Sequence, residues 1–184
     1  MREFRDNQGR PWQLALTVSS ALRVRDLVRC AFAKTDAAGN VTGEVEERPL
    51  DLLDTANVGQ TLQVLRQNFS ALGETVYAIL GPQVASKGLD RDAFLDGLAG
   101  DSLDAARSAL EDELVGFFPS RLRGLVASMR ERLTELETAM VDQATATIAA
   151  VELPGRSSGS VPASSASTPA NGPSANSSPL LEVD

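Results

Sequence analysis

Histidine is absent from this chain of 184 residues, and cysteine occurs once, as Cys30. These are the side chains that most often act as general base, nucleophile or transition-metal ligand. Their scarcity excludes the usual hydrolase triad, because Ser120 and the other serines have no imidazole to take their proton. One cysteine forms no disulfide within the chain, which agrees with a reducing compartment. Long apolar runs are lacking too. None approaches the roughly 20 residues of a membrane-spanning helix, and the opening MREFRDNQGR has no hydrophobic signal region. The expectation is a cytoplasmic binding protein with no catalytic residue, no cofactor, no metal and no membrane partner.

Positive charge is also in short supply. The formal net charge is −8, and the arginines are interleaved with Asp and Glu, whereas a nucleic-acid binder needs a basic surface to displace counterions from phosphates. The densest cationic stretch, Arg121 to Arg132, contains Glu131 and reads as a solvated helix face. Nucleic acid is therefore not expected as a partner.

The stretch from Pro154 to Asp184 holds five of the nine prolines and almost no large apolar side chain. Such a composition cannot bury enough surface to offset its ordering entropy. The expected organisation is a folded body over 1–153, with hairpins at about 1–47 and helices at about 50–153, and a disordered Ser/Pro/Ala-rich tail over 154–184.

Two segments share a turn grammar, Asp6-Asn7-Gln8-Gly9 and Asp36-Ala37-Ala38-Gly39, in which Asp bonds the backbone ahead and Gly takes a positive φ. Both predict hairpins. The first joins Arg2–Arg5 to Pro11–Leu16, where Trp12, Leu14 and Leu16 alternate as in a half-buried strand. The second joins Cys30–Lys34 to Val41–Glu46. Between them, Ser19 or Ser20 is placed to cap a helix to about Val28, with Leu22, Leu27 and Val28 inward and Arg23, Arg25 and Asp26 outward.

Helical spacing dominates from there. One helix is predicted near Val58–Gln67. Another follows Asn68, with Phe69, Leu72, Val76, Ile79 and Leu80 in step, and ends at Gly81-Pro82. A short helix starts at Asp90 or Asp92 and stops at Gly100. The next is capped by Asp101 or Ser102, carries Leu103, Ala106, Leu110, Leu114 and Phe117 on one face, and stops at Pro119. The last spans about Ser120–Leu153. Its apolar positions are Leu122, Leu125, Met129, Leu133, Leu136, Met140, Ala144, Ile148 and Val151, a period near 3.6. At roughly 1.5 Å per residue it would reach about 50 Å, too long for a small body to cover. Either part of the stripe meets another molecule, or the segment folds back as two helices. The fold class is thus α+β and mainly helical, with N-terminal hairpins packed on a helical body.

No constellation carries chemistry. Asp90, Asp92, Asp96 and Gly97 suggest a calcium loop, but Phe94 occupies a ligand position and the bidentate Glu is missing; these acids read as helix caps. Glu111-Asp112-Glu113 occupy successive helical positions about 100° apart and read as a solvated acidic face. Trp12 and Cys30 read as core.

Four segments resemble small proteins of the phage tail assembly chaperone type, encoded in tailed-phage and prophage tail operons: FRDNQGRPWQLALTV, ALRVRDLV, TVYAILGPQV and FLDGLAGDSLDAARSALEDELVGFFPS. The likeness covers about residues 1–125, and none of its motifs is catalytic. The hairpin at Lys34–Glu47 is longer than the family pattern. The resemblance implies a cytoplasmic helper that binds the tape measure protein and keeps it soluble while tail tube protein polymerises around it. Leu125, Met129, Leu133, Leu136, Met140 and Ile148 are then the candidate partner-binding residues, and the same helix offers a route to a homo-oligomer. The competing class is a generic acidic helical adaptor or regulatory protein unrelated to phages.

Overall fold

A computed structural model describes residues 1–36 and 40–150. Gly39 of the second predicted turn, the last positions of the final helix and the tail at 154–184 lie outside the described residues.

The first hairpin pairs β1 (Arg2–Arg5) with β2 (Pro11–Leu14), Phe4 opposite Trp12. Its turn is organised by one carboxylate. Asp6 accepts from the backbone N–H groups of Gln8 and Arg10, from Arg10 Nε at 2.5 Å and from Trp12 Nε1 at 2.9 Å. Gly9 closes the turn at φ 74°, a conformation that L side chains resist. Burial of Asp6 would by itself raise its pKa, but the bonds from Trp12, Arg10 and Gln8 outweigh it and hold the carboxyl below its ordinary value. The hairpin locks onto the helices through Trp12, which is fully buried and meets Phe94 edge-on at 4.9 Å. β2 ends at Leu14, two residues short of the predicted Leu16; Leu16 remains buried.

α1 (Val18–Leu27) begins two residues earlier than a cap at Ser19 allows and three earlier than one at Ser20. Thr17 is the cap, and Ser20 closes a reciprocal capping box with it. The inward face also differs: Ala21 and Val24 are buried while Leu27 is 66% exposed, and Arg23, predicted outward, is half-buried against α3, where it bonds the Ala78 and Ile79 carbonyls. The second hairpin pairs β3 (Arg29–Thr35) with β4 (Val41–Pro49), longer than predicted. Cys30 and Phe32 are buried, and Arg48 lies 4.0 Å over the Phe32 ring.

α2 (Val58–Gln67) and α3 (Phe69–Ser86) follow, with the Asn68 side chain capping α3 as the sequence suggests. Two details of α3 differ. Phe69 is 61% exposed, and Gly81-Pro82 does not end the helix, which continues to Ser86. Proline removes the N–H that would serve the carbonyl four residues back, and in this chain Arg23 supplies the missing donor to Ala78. α4 (Arg91–Asp96), capped by Asp90, ends at Gly97 rather than Gly100. A Cβ on Gly97 would fall 2.7 Å from Arg10 Nη2, so the guanidinium of the first hairpin rests directly against α4 and would have to shift to admit a side chain there. α5 (Asp101–Phe117) starts from the Gly100 backbone at φ 55°, without the predicted side-chain cap.

α6 (Ser120–Ala150) is one continuous helix and does not fold back. The result is α+β and mainly helical: two small antiparallel hairpins set against a helical assembly whose core runs from Trp12 and Leu14 through Leu62, Leu72, Leu80 and Phe94 to Leu110 and Leu114. No helix among the described residues is long and apolar enough to cross a membrane.

Candidate protein-binding surface

The first half of α6 is docked on α2 and α5. Leu122, Val126, Met129 and Leu133 form its inner face at spacings of four, three and four, with Val126 buried and the others half-buried against the core. Val126 was not among the predicted stripe residues. Its neighbour Leu125 was, and it is 50% exposed. Both fit a period near 3.6, so only the docked partners decide which one turns inward.

A polar clamp reinforces this contact. Arg66 on α2 holds Glu111 on α5 through two bonds of 2.7 Å, and both side chains are buried. Arg130 of α6 adds a bond to Glu111 at 3.1 Å and one to Asp112 at 2.5 Å. Glu137 of α6 reaches Arg66 at 3.3 Å and Arg107 at 2.8 Å. Glu111 is therefore not part of a solvated acidic face. Burying a charge is tolerable only when it is paired, and Glu111 has two guanidinium partners.

Glu137 is the last α6 residue tied to the body; every described side chain from Thr138 to Ala149 is exposed. The inner face nevertheless continues. Five helical turns are about 18 residues, so Met140 lies in line with Leu122 and Ala144 with Val126, now with no helix beneath them. Leu136, Met140, Val141 and Ile148 are 61%, 67%, 60% and 74% exposed. Where this overhang leaves α2, a groove of about 330 Å³ opens, lined by Leu133, Leu136, Met140 and Val141 of α6, by Gln63 and Gln67 of α2, and by the Arg66–Glu137 ion pair.

Of the six predicted partner-binding residues, the structure brings Leu133, Leu136 and Met140 together in the groove and carries Ile148 two turns further out. Met129 belongs to the docked half. Leu125 sits eleven residues from Leu136 and does not join the groove. Gln63, Gln67 and Val141 were not predicted. Val141 follows Met140 directly and carries a signal in the sequence; the two glutamines have none, since they lie on a different helix.

No family model, no curated protein and no solved structure matches this chain. What can be said of the surface rests on its own chemistry. Among the described residues no three His, Cys, Asp or Glu side chains gather as a metal site. The overhang offers an apolar helical ridge beside a shallow groove with an amide rim, the kind of surface that takes an amphipathic helix through anchors at i, i+3 or i+4 and i+7.

Proposed function

We propose that this protein is a cytoplasmic assembly chaperone that shields the apolar stripe of a long helical client. The observation that carries this reading is the exposed row Leu136, Met140, Ala144 and Ile148 continuing the docked face of α6 past the edge of the body. A client helix laid along that row would extend the packing that Leu122 and Val126 already make with α2 and α5. The net charge of −8 keeps such a complex soluble while apolar surfaces are exchanged. The resemblance of residues 1–125 to phage tail assembly chaperones points to a tape measure protein as the client, with tail tube protein as a candidate second partner.

The test is co-expression with an aggregation-prone tape measure fragment. Changing Leu136, Met140 and Ile148 together to Glu alters exposed positions, so the melt should move by less than ~0.5 kcal/mol, while the soluble fraction of the fragment falls to that seen without chaperone. A variant that folds and still solubilises the fragment would place the function elsewhere.

A further inference from the structure

We infer that the segment Leu180–Val183 of this same chain occupies the groove beside α2 and has to leave it before a client helix can lie along α6. The competition rests on the client-binding reading; the contact itself does not. Between Pro154 and Asp184 the large apolar side chains are Val161, Leu180, Leu181 and Val183. Three of these four fall within four residues, after a long stretch of Ser, Ala, Pro and Gly that offers little to bury.

The tether has the right length. From Ala150 back to Leu133 is seventeen rises of about 1.5 Å, or about 25 Å along α6. The intervening stretch Val151–Pro179 is 29 residues, and a Gly/Ser-rich chain of that length has an r.m.s. end-to-end distance of about 30 Å. Such a match is the condition under which a tethered segment meets its site at the highest local concentration, on the order of millimolar. Even a weak contact is then populated.

The groove also fits in shape and bonding. Its apolar lining from Leu133 to Val141 covers eight rises, about 12 Å, and four extended residues span about 13 Å. In that conformation Leu181 and Val183 project to one side, into the groove, and Glu182 to the other. Pro179 favours an extended entry, because its ring disfavours the helical conformation at Ser178.

The wall opposite α6 selects an extended occupant over a helix. Gln63 and Gln67 lie one turn apart on α2, both exposed, and neither carboxamide is hydrogen-bonded among the described residues. A helix arrives with its backbone groups already paired, whereas an extended segment brings N–H and C=O groups that need partners when buried. Each carboxamide both donates and accepts, which meets that need. Arg132, one helical turn before Leu136, is exposed and has no ion pair among the described residues, so a cation is available to Glu182. Leu136 and Met140 belong both to the groove and to the row assigned to the client, so one occupant excludes the other. A groove closed two-thirds of the time weakens client binding about threefold.

Intramolecular cross-linking of the full chain reads the contact. Gln67→Cys is combined with Leu180→Cys, which keeps Leu181 and Val183, or with Ser165→Cys as the control for a tether that only diffuses past. Both proteins are oxidised with glutathione disulfide at low concentration. Cys30 stays out of the reaction, being buried with its thiol pKa raised by that burial. The 67–180 link should form at least about fivefold faster than the 67–165 link, and adding Val183→Asp should erase the difference. Equal rates, or a difference that survives Val183→Asp, overturn the inference. Competition is read with the tape measure fragment: Leu181→Asp with Val183→Asp should lower the chaperone concentration that keeps half of it soluble by about threefold. An unchanged requirement beside a selective cross-link overturns the competition. A selective cross-link in a protein that solubilises no fragment, with or without the two Asp changes, refutes the client reading alone.

Discussion

Arg23 Nε donates to the carbonyl oxygen of Ala78 at 3.1 Å, and Ala78 is the residue whose helical partner would be the N–H that Pro82 lacks. The second arm of the guanidinium, Nη2, reaches the next carbonyl, Ile79, at 3.3 Å. One side chain on α1 thereby completes the α3 ladder at its broken rung and straps the two helices together. A buried carbonyl without a partner costs about 1–3 kcal/mol, and this contact is what lets α3 run through a proline.

Arg23→Ala should therefore lower stability by about 1–3 kcal/mol. The informative comparison is the same change in a Pro82→Ala background. There the backbone restores the missing donor, so removing Arg23 should cost less than half as much. A double-mutant cycle of denaturant midpoints measures the coupling, and equal costs in both backgrounds would refute the assigned role.

Asp6 gives the fold an acid limb. Its pKa is depressed in the folded state, since the bonds from Trp12, Arg10 and Gln8 overcome the opposing effect of burial. Its contribution is therefore full above the ordinary aspartate value of 3.8 and is lost as pH falls through the lower folded value. Asp6→Asn should destabilise the protein at neutral pH by about 1–3 kcal/mol and flatten the stability curve below pH 4. Urea midpoints across that range check both expectations; an unchanged acid limb would show that Asp6 does not set it.

Glu111 and Arg66 form a pair in which the single change is worse than the double. Glu111→Leu leaves a buried guanidinium with Glu137 and Thr134 as its remaining side-chain partners among the described residues, at a cost of about 3–5 kcal/mol. Adding Arg66→Met should recover most of that loss, because well-packed apolar residues often replace a buried ion pair without penalty. Thermal melts of the three variants decide it: a double variant as unstable as the single would mean that the charges themselves hold α6 in place.

Local patterns made much of the fold legible. Asp and Gly spacing located both hairpins, alternation placed Trp12 and Leu14 in the core, and helical spacing with Asn68 as a cap gave the boundary between α2 and α3. What stayed hidden depends on partners distant in the chain. The donor that carries α3 past Pro82 lies 55 residues upstream, and the cation that buries Glu111 lies 45 residues away. The α1 face was misjudged because the helix offers few apolar residues, and which of them turn inward is decided by α3, whose carbonyls at Ala78 and Ile79 hold Arg23 on the half-buried side. The apolar row of α6 was legible as a stripe, but its division into a docked half and an exposed half was not, since nothing in the residues themselves marks where α2 and α5 stop.

That division gives α6 two different sources of order. From Ser120 to Glu137 the helix is held by the body and melts only when the body does. From Thr138 onward it is a helix end with no tertiary support, extended from a nucleus that the docked half has already formed. Propagation from an existing turn needs far less than nucleation, and four alanines between Ala144 and Ala150 favour it. Backbone amides should accordingly exchange along a gradient, slowest near Val126 and fastest near Ala149. Whatever molecule covers the row would inherit that fraying equilibrium and slow exchange in the outer turns, a signature that marks occupancy of the overhang without any change in the body.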